Sequence, residues 1–416
     1  MNLDQYAGTE ILVRFNYDYV GGPAFTGTNT HVGWLVDDIQ IAPTFTPRRY
    51  TEVGEPSPAE ILSVELVNRA RSDAMAEALR LRNDDDPQVL SAIAEFDVDL
   101  DELEAQFATL DPEVQPLAIN KRLTAAARLH NEDMLSNVFQ GHTSSSNPPP
   151  PHQPGDGPGA RASYQGYRWQ QLGENVFAYA FSVWYNHAGF NIDWGPGTWH
   201  GMQDPPGHRL AIHEPLYREV GVGMLEDSAT SNGQSVGPLL STQKFSRQLD
   251  ADHPFIVGVT FMDLDETGFY AEGEGLGGVR VDVEGASFYS ISSEHGAFAV
   301  PVSGDGTYTV TFSKPGYLTV TQAVTVVNGQ NVKVDYLAET DPNAGWVTDL
   351  SRGAGDTLKA EFVYGGSASD LAVEVTEDFV TWDPVSATIN DMGGGSFELE
   401  VDTSPPIGIF RVIHDP

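Results

Sequence analysis

The alternation of apolar and polar residues separates a helical centre from β-rich flanks. Apolar positions at helical spacing predict helices over 59–82 and 117–137. Ser57, Pro58 and Glu60 form a helix-start signature for the first helix, in which Glu60 completes a capping box three residues after Ser57. Towards the C-terminus the pattern changes to short alternating strands between glycine turns. The fold class predicted is multidomain α+β.

The same pattern divides the chain into segments. Strand-like alternation at 11–19 and 32–42 resembles the end of a jelly-roll module, and so few strands cannot cover both faces of a sandwich. We therefore expect the natural protein to begin further upstream; the alternative is a strand pair packed on the next domain. The predicted segments are 1–49 for the C-terminal part of that truncated module, 50–58 for a linker, 59–250 for a central domain, 251–340 for a β-sandwich module and 341–416 for a small C-terminal β module.

Composition narrows the classes of partner. The chain has 59 acidic and 22 basic residues, for a net charge of -37. This charge repels nucleic acid and anionic lipid surfaces and favours divalent cations or basic partners. There is no cysteine, which excludes disulfides, thiolate zinc sites and a cysteine nucleophile. No apolar run approaches the length of about 18 residues that would predict a transmembrane segment.

Four short motifs within residues 141–242 carry candidate chemistry. His142 follows a glycine, Glu174 lies in Gly-Glu-Asn, His187 follows Trp-Tyr-Asn, and His208 lies in Pro-Gly-His-Arg. Three neutral imidazoles and one carboxylate can hold a divalent transition ion and leave a position for water. Zinc is the metal suspected. The alternative is that these side chains only hydrogen-bond the loops around them.

The order of these motifs resembles the CAP superfamily in its bacterial form, the domain of sperm-coating, cysteine-rich secretory and pathogenesis-related proteins. The resemblance covers about residues 59–250 and implies an α-β-α sandwich with two histidines and two acids in a central cleft, where several members bind zinc or another divalent ion. His142, Glu174 and His208 match the family's motif positions. His187 stands where the family has its second acid. Glu219 matches an acid typical of bacterial members, next to the cleft.

Three functions follow from the resemblance. The first is a secreted protein, extracellular or at the cell surface, whose cleft binds a small molecule, lipid, peptide or glycan, with or without a metal. The second is a metal-dependent hydrolase of peptides or esters, with Glu174 as base and His142, His187 and His208 as zinc ligands. The third is a structural or adhesive surface protein with an inert CAP fold. The aromatic residues of loop 188–203 either line the cleft mouth or pack on themselves.

The module at 251–340 contains a calcium-loop pattern. Asp263, Asp265, Thr267, the carbonyl of Phe269 and Glu274 occupy the oxygen-donor positions of a twelve-residue loop, with a glycine at the turn. They predict a structural calcium ion; an ordinary acidic turn is the alternative. The strands around this loop resemble carboxypeptidase-regulatory-like or Cna-B-like modules, which act as spacers or stalks.

Overall fold

The structure, a computed structural model, describes residues 47–195, 199–249, 251, 253–341, 345–352, 357–364, 368–376, 383–393, 396–402 and 409–414. The jelly-roll-like module predicted over 1–49 lies outside the described residues except at its last three positions. The first described strand, β1, is Arg48–Arg49.

Helices and strands mix in the central region. Its elements are α1 (Pro58–Ser72), α2 (Ala74–Arg82), α3 (Pro87–Phe96), α4 (Leu100–Phe107), β2 (Ala118–Ile119), α5 (Lys121–Asn137), α6 (Pro158–Tyr164), β3 (Trp169–Ala180), α7 (Val183–Ile192), a 3-10 turn (Trp199–Gly201), α8 (Gly207–His213), β4 (Glu219–Glu226), β5 (Ala229–Ser231), β6 (Gln234–Val236) and β7 (Leu239–Gln248).

The sheet of the central region lies between two helical layers. Its strand order is β2-β4-β7-β3, which makes β3 an edge strand. Helix α5 packs closely on one face: a Cβ added at Gly221 would lie 2.1 Å from the backbone nitrogen of Thr124. Val220 and Val222 point to the opposite face and pack with Val64 of α1. This is the α-β-α arrangement that the sequence predicted.

Helix α1 begins at the predicted capping box. The Ser57 hydroxyl accepts a hydrogen bond from the Glu60 backbone N–H, and the Glu60 carboxylate accepts one from the Ser57 N–H. The prediction of one continuous helix over 59–82 is wrong at Asp73. This residue is extended, with φ of -158°, and its side chain caps α2 by accepting a hydrogen bond from Ala76.

The following β module has two sheets. Its strands are β8 (Phe255–Phe261), β9 (Arg280–Val283), β10 (Phe288–Ile291), β11 (Ala297–Pro301), β12 (Gly306–Ser313), β13 (Val320–Val326), β14 (Val332–Lys333) and β15 (Tyr336–Leu337). One sheet has the order β1-β10-β9-β12-β13 and the other the order β11-β8-β14, with β15 also paired to β8. A shared apolar core between the two sheets makes the module a sandwich.

This module contacts residues on its N-terminal side in two ways, through strand pairing with β1 and through an apolar cluster shared with the central region. Arg48 and Arg49, assigned by the sequence to the first module, pair instead in parallel with β10. Ile61 of α1 and Ala118 of β2 belong to the same apolar cluster as Val257 of β8. The central region and the module therefore share a core, in contrast to the spacer or stalk that the resemblance implied.

The C-terminal module contains the strands β16 (Gly345–Arg352), β17 (Thr357–Tyr364), β18 (Leu371–Thr376), β19 (Asp383–Pro384), β20 (Ala387–Gly393), β21 (Ser396–Asp402) and β22 (Ile409–His414). They form the sheets β16-β17-β21-β20 and β19-β18-β22. Ala360, Val373, Phe397 and Leu399 make a core common to both sheets. None of the helices in the described part of the chain has the length and apolar composition to cross a bilayer.

Candidate functional site

The Gly-Glu-Asn motif lies in the edge strand β3, where successive side chains point to opposite faces of the sheet. Glu174 points to the α5 face, the same face as Lys244, its partner on the neighbouring strand β7. Asn175 points to the other face, where its Nδ2 donates to the backbone oxygen of His208 at 3.2 Å. Two consecutive residues therefore contact the two predicted histidine segments from opposite faces of one strand.

Glu174 is buried and fully engaged. Arg161 Nη2 donates to both of its carboxylate oxygens at 2.8 Å, and Lys244 Nζ donates to Oε2. His142 Nδ1 lies 3.1 Å from Oε1. Because a carboxylate can only accept, this Nδ1 carries the proton. The Arg161 and Lys244 side chains are 0% exposed, whereas that of His142 is 51% exposed and reaches solvent.

The charges of this cluster do not favour Glu174 as a base. Burial alone would raise the pKa of Glu174, but Lys244, His142 and Arg161 outweigh it and hold the pKa well below its usual range. Burial lowers the pKa of Lys244 to about 8, against the opposing effect of Glu174. Both groups are charged at neutral pH. Since a general base works best with a pKa near the working pH, the predicted catalytic role of Glu174 is not supported.

Two buried imidazoles border the same cluster. Burial, together with the nearby cations Arg161 and Lys244, lowers the pKa of His130 to about 3 and that of His152 to about 4. His130 Nε2 contacts the backbone oxygen of Gly141 at 2.8 Å, which ties α5 to the segment that carries His142. Both rings are therefore neutral at physiological pH.

His208 is held by an acid that the sequence prediction did not assign. Its Nδ1 lies 2.6 Å from Asp193 Oδ1, and its backbone N–H donates to Asp193 Oδ2 at 2.9 Å. Asp193 is buried at the C-terminal end of α7, in the left-handed region with φ of 60°. Each of the two matched histidines therefore has its Nδ1 against a buried carboxylate, that of Glu174 for His142 and that of Asp193 for His208.

A cavity of about 440 Å³ lies beside His208 and the edge strand. Seven of its fifteen lining residues are Phe, Tyr or Trp, and five are polar or charged. Tyr179 and Phe181, near the C-terminal end of β3, are 44% and 52% exposed and stand at its mouth. Gly189, Phe190 and Trp194, from the segment predicted as a loop, also line the cavity. Its other aromatic lining residues are Phe96, Phe177 and Tyr185. Its polar lining residues are Glu95, Gln140, Asp193, Gln203 and His208. Trp199 is not among its lining residues and is 68% exposed.

His187 does not join the predicted cleft. It is buried on α7, and its Nε2 lies 2.9 Å from Glu77 of α2. Glu77 also accepts hydrogen bonds from Arg69 and Arg80. His187 is thus part of an ion-pair network between α1, α2 and α7. Its side chain points towards the helices α1 and α2 and does not line the cavity.

The structure does not bring His142, His187, His208 and Glu174, the predicted zinc set, together at one point. Each histidine has one ring nitrogen against a different carboxylate, and the donors of Glu174 are two fixed cations and one imidazole. Among the described residues, the one group of three His, Asp or Glu with ligand atoms all within 4.8 Å is elsewhere. The four side chains do not fit a zinc ion with three protein ligands.

Glu219 has a supporting role. Its carboxylate accepts hydrogen bonds from Asn120 Nδ2 at 2.7 Å and from the Tyr167 hydroxyl at 2.6 Å. Asn120 is the N-cap of α5, so Glu219 fixes the start of that helix. Burial raises the pKa of Glu219, and the hydrogen bonds from Tyr167 and Asn120 offset part of this increase. The carboxylate contacts neither matched histidine.

Sequence reasoning missed Arg161, Lys244 and Asp193. Lys244 sits in β7, where eight consecutive residues from Leu239 are buried. Lys244 is the one charged residue in the run 239–246, and this was the available signal, since a buried ammonium needs a partner. Nothing local marks Arg161 or Asp193, because their partners are contributed by distant strands and helices.

The calcium-loop residues do come together. Asp263, Asp265 and Glu274 place carboxylate oxygens within 4.8 Å of one another. The Thr267 N–H donates to Asp263 at 3.0 Å and to Asp265 at 3.1 Å. Glu274 accepts from the Leu264 N–H at 2.8 Å and from the Ala271 N–H at 2.8 Å. Thr267 Oγ1 also donates to the carbonyl of Phe269. Clustered carboxylate and carbonyl oxygens are the donor set that calcium prefers.

Two family models match the chain. Residues 64–245 match the cysteine-rich secretory protein family, CAP, and residues 269–337 match the carboxypeptidase regulatory-like domain. No curated protein matches the chain.

Several solved structures are similar over part of the chain. One is an extracellular protein containing an SCP domain from Bacillus anthracis str. Ames, with 19% identity, a TM-score of 0.23, and 39% of this chain and 44% of that chain covered. Another is a DUF3823 family protein from Parabacteroides merdae, with 19% identity, a TM-score of 0.19, and coverage of 37% and 83%. A third is a putative carbohydrate binding protein from Bacteroides uniformis, with 16% identity, a TM-score of 0.18, and coverage of 36% and 80%.

The chain spans less than half the length of the SCP-domain protein that it matches. The matched segments coincide with the α-β-α region and with the β-sandwich that follows it. Residues 64–245 thus belong to a CAP domain, joined through a shared core to a carboxypeptidase regulatory-like domain that contains residues 269–337.

Proposed function

We propose that the CAP domain binds a small amphipathic molecule in the aromatic cavity beside β3. The observation that carries this proposal is the cavity itself, about 440 Å³ in volume and lined by seven Phe, Tyr and Trp rings together with five polar residues that include His208. This volume is within the range of small-molecule sites, and an apolar wall with a few polar groups is their usual composition. In line with the family, we place the protein outside the cell or at its surface.

The lining favours some ligand classes over others. A glycan presents hydroxyl groups over its whole surface, and most of this wall cannot hydrogen-bond them. A molecule with an apolar body and one polar end fits better, because His208 and Gln203 line the same cavity as Phe177, and the His208 ring lies 5.1 Å from that of Phe190. Binding is also better supported than hydrolysis, since Glu174 is fully engaged by Arg161, Lys244 and His142.

The test uses the neutral fluorophore N-phenylnaphthylamine, which the strongly acidic chain does not repel. We expect saturable fluorescence enhancement with the full chain. The double variant Tyr179→Ala/Phe181→Ala removes the aromatic mouth and should weaken probe binding roughly tenfold, equivalent to about 1.4 kcal/mol. Leu216→Ala is the matched control, because Leu216 is similarly exposed, at 46%, and does not line the cavity. Equal binding by all three proteins would refute the cavity site and favour an inert, structural CAP fold.

We also propose that the loop from Asp263 to Glu274 holds a structural calcium ion. The convergence of three carboxylates supports this proposal, with Thr267 and the carbonyl of Phe269 in reach as further oxygen donors. At a calcium concentration of 100 times Kd, the ion should stabilise the folded chain by about 2.7 kcal/mol. The measurement is the melting temperature in calcium and in chelator, with Glu274→Gln as the variant that should lose the difference. A wild-type melting temperature that calcium leaves unmoved excludes the ion.

A further inference from the structure

We infer that Arg161 and Lys244 are the resident cations of the CAP cleft, and that they hold Glu174, and through it His142, in place of a divalent metal ion. The inference concerns the α5 face of strand β3. It does not depend on the cavity or on the calcium loop.

The first step is the saturation of the carboxylate. Oε1 of Glu174 contacts His142 Nδ1 and Arg161 Nη2, and Oε2 contacts Arg161 Nη2 and Lys244 Nζ. Two carboxylate oxygens offer about four acceptor positions, and all are in use. A metal ion could bind Glu174 only by displacing a charged donor.

The second step is that these donors cannot move away. The Lys244 side chain is fully buried in the middle of β7, and its ammonium also reaches the carbonyl of Pro158 at 3.5 Å. Arg161 Nη1 donates to the carbonyl of Asp156 at 2.8 Å and to Ser144 Oγ at 3.3 Å. Withdrawing either cation from Glu174 would leave an unpaired charge in the protein interior, which costs several kcal/mol.

The third step is the sum of charge. At neutral pH two cations, Arg161 and Lys244, face the one carboxylate of Glu174, so these three side chains together are already positive before any metal arrives. A divalent ion here would meet two like charges at short range in a medium of low dielectric constant. The neutral state of the nearby His130 and His152 agrees with a positive local potential, which adds to the effect of their burial.

The consequence is a histidine oriented without metal. The Glu174 carboxylate can only accept, so it fixes a proton on His142 Nδ1 and orients a ring whose side chain is half-exposed. Arg161 and Lys244 act as positioning residues for His142. In this cleft, side-chain cations supply the electrostatic role that zinc supplies in other arrangements of histidine and carboxylate.

The experiment compares metal affinity and histidine tautomer. Protein with Glu274→Gln, which disables the calcium loop, is stripped with chelator and titrated with zinc by calorimetry. We expect no His142-dependent zinc site at micromolar concentrations. Lys244→Met removes one cation and should strengthen zinc binding at least tenfold, in a manner that His142→Ala abolishes. Lys244→Arg keeps the charge and should behave as the parent. A tight zinc site in the parent that His142→Ala removes would overturn the inference, as would a folded Lys244→Met variant with unchanged zinc affinity.

A second readout needs no variant that could misfold. Nitrogen NMR of the metal-stripped parent reports the tautomer of His142 directly. The Nδ1-protonated form, maintained without metal, supports the inference. A neutral ring protonated on Nε2 alone would overturn it, because Nδ1 would then have no proton to donate to Glu174 in the metal-free protein.

Discussion

Two sites of this molecule that the sequence predicted to bind metal surround their carboxylates with different kinds of hydrogen-bond donor. In the CAP domain, Glu174 is paired with the buried side chains of Arg161 and Lys244. In the regulatory-like domain, the carboxylates of Asp263, Asp265 and Glu274 accept hydrogen bonds from backbone N–H groups of their own loop.

From this difference we infer what decides whether a set of metal-ligating residue types can bind a metal ion. Backbone N–H groups carry only partial charge, so the three carboxylates of the loop keep most of their attraction for a cation. Side-chain cations carry full charge and satisfy the carboxylate permanently. Residue types at the right spacing are therefore not sufficient; the net charge of the assembled cluster decides.

The largest effect should come from removing Glu174. Glu174→Gln leaves Arg161 and Lys244 buried without a counter-ion, and we expect a loss of about 3–5 kcal/mol in the free energy of unfolding. Chemical denaturation of the full chain measures this loss. The double variant Glu174→Gln/Lys244→Met should recover part of it, because one of the stranded charges is then absent.

The control for that loss is an exposed ion pair. Asp101 pairs with Arg82 on the surface, and its side chain is 86% exposed. Asp101→Asn should leave the denaturation midpoint unchanged, since solvent screens such pairs. A Glu174→Gln variant as stable as Asp101→Asn would contradict the view that the cleft cations depend on this carboxylate.

Acid should weaken the CAP domain through its buried imidazoles. Burial lowers the pKa of His130 and of His213 to about 3, whereas an unfolded histidine titrates near 6.5. Between these values the unfolded chain binds protons that the folded chain does not. The free energy of unfolding should therefore fall as pH drops below about 6.5, by up to about 1.4 kcal/mol per pH unit for each histidine.

His213→Leu isolates one of these imidazoles. Neither ring nitrogen of His213 has a hydrogen-bond partner in the described part of the chain, so leucine strands no donor or acceptor. Between pH 4 and 6 the unfolding free energy of this variant should depend on pH less steeply than that of the parent, by roughly one proton. Parallel curves for the two proteins would show that His213 already binds its proton in the folded state.

A smaller effect should come from the contact that joins the two regions. The guanidinium of Arg69 lies 5.1 Å from the ring centroid of Phe269 in the calcium loop and 5.4 Å from that of Trp184 in the CAP domain. Phe269→Leu removes one of the two rings and should cost about 1 kcal/mol of stability. Phe269→Tyr keeps a ring and is the matched control; a leucine variant as stable as the tyrosine variant would rule out a contribution from the ring.

The smallest effect should appear in the calcium loop itself. In chelator, Asp265→Asn relieves repulsion among the three carboxylates and should raise stability by a few tenths of a kcal/mol. In calcium, the same variant should lose the ion's stabilisation. The melting temperatures under both conditions test the sign. Destabilisation in chelator would mean that the acidic group serves the loop fold without an ion.

Local pattern predicted much of the fold. The capping box at Ser57 and the helix predicted over 117–137 depend on residues close in sequence, and both are present, the helix as α5. The break at Asp73 and helix α3 were missed, because an acidic residue can continue, cap or interrupt a helix with similar local cost.

The sequence by itself determined the order of the motifs, and with it the CAP and regulatory-like domains and the convergence of the calcium-loop carboxylates, whose donors lie within twelve residues of one another. Only the tertiary structure decided which side chains pair with Glu174, His187 and His208, three of the residues that the sequence assigned to the cleft. Lys244 meets Glu174 across 70 residues, Glu77 meets His187 across 110, and Asp193 replaces the expected acid beside His208. Such pairings depend on which faces of strands and helices meet, and charge neutralisation is a property of that assembled geometry.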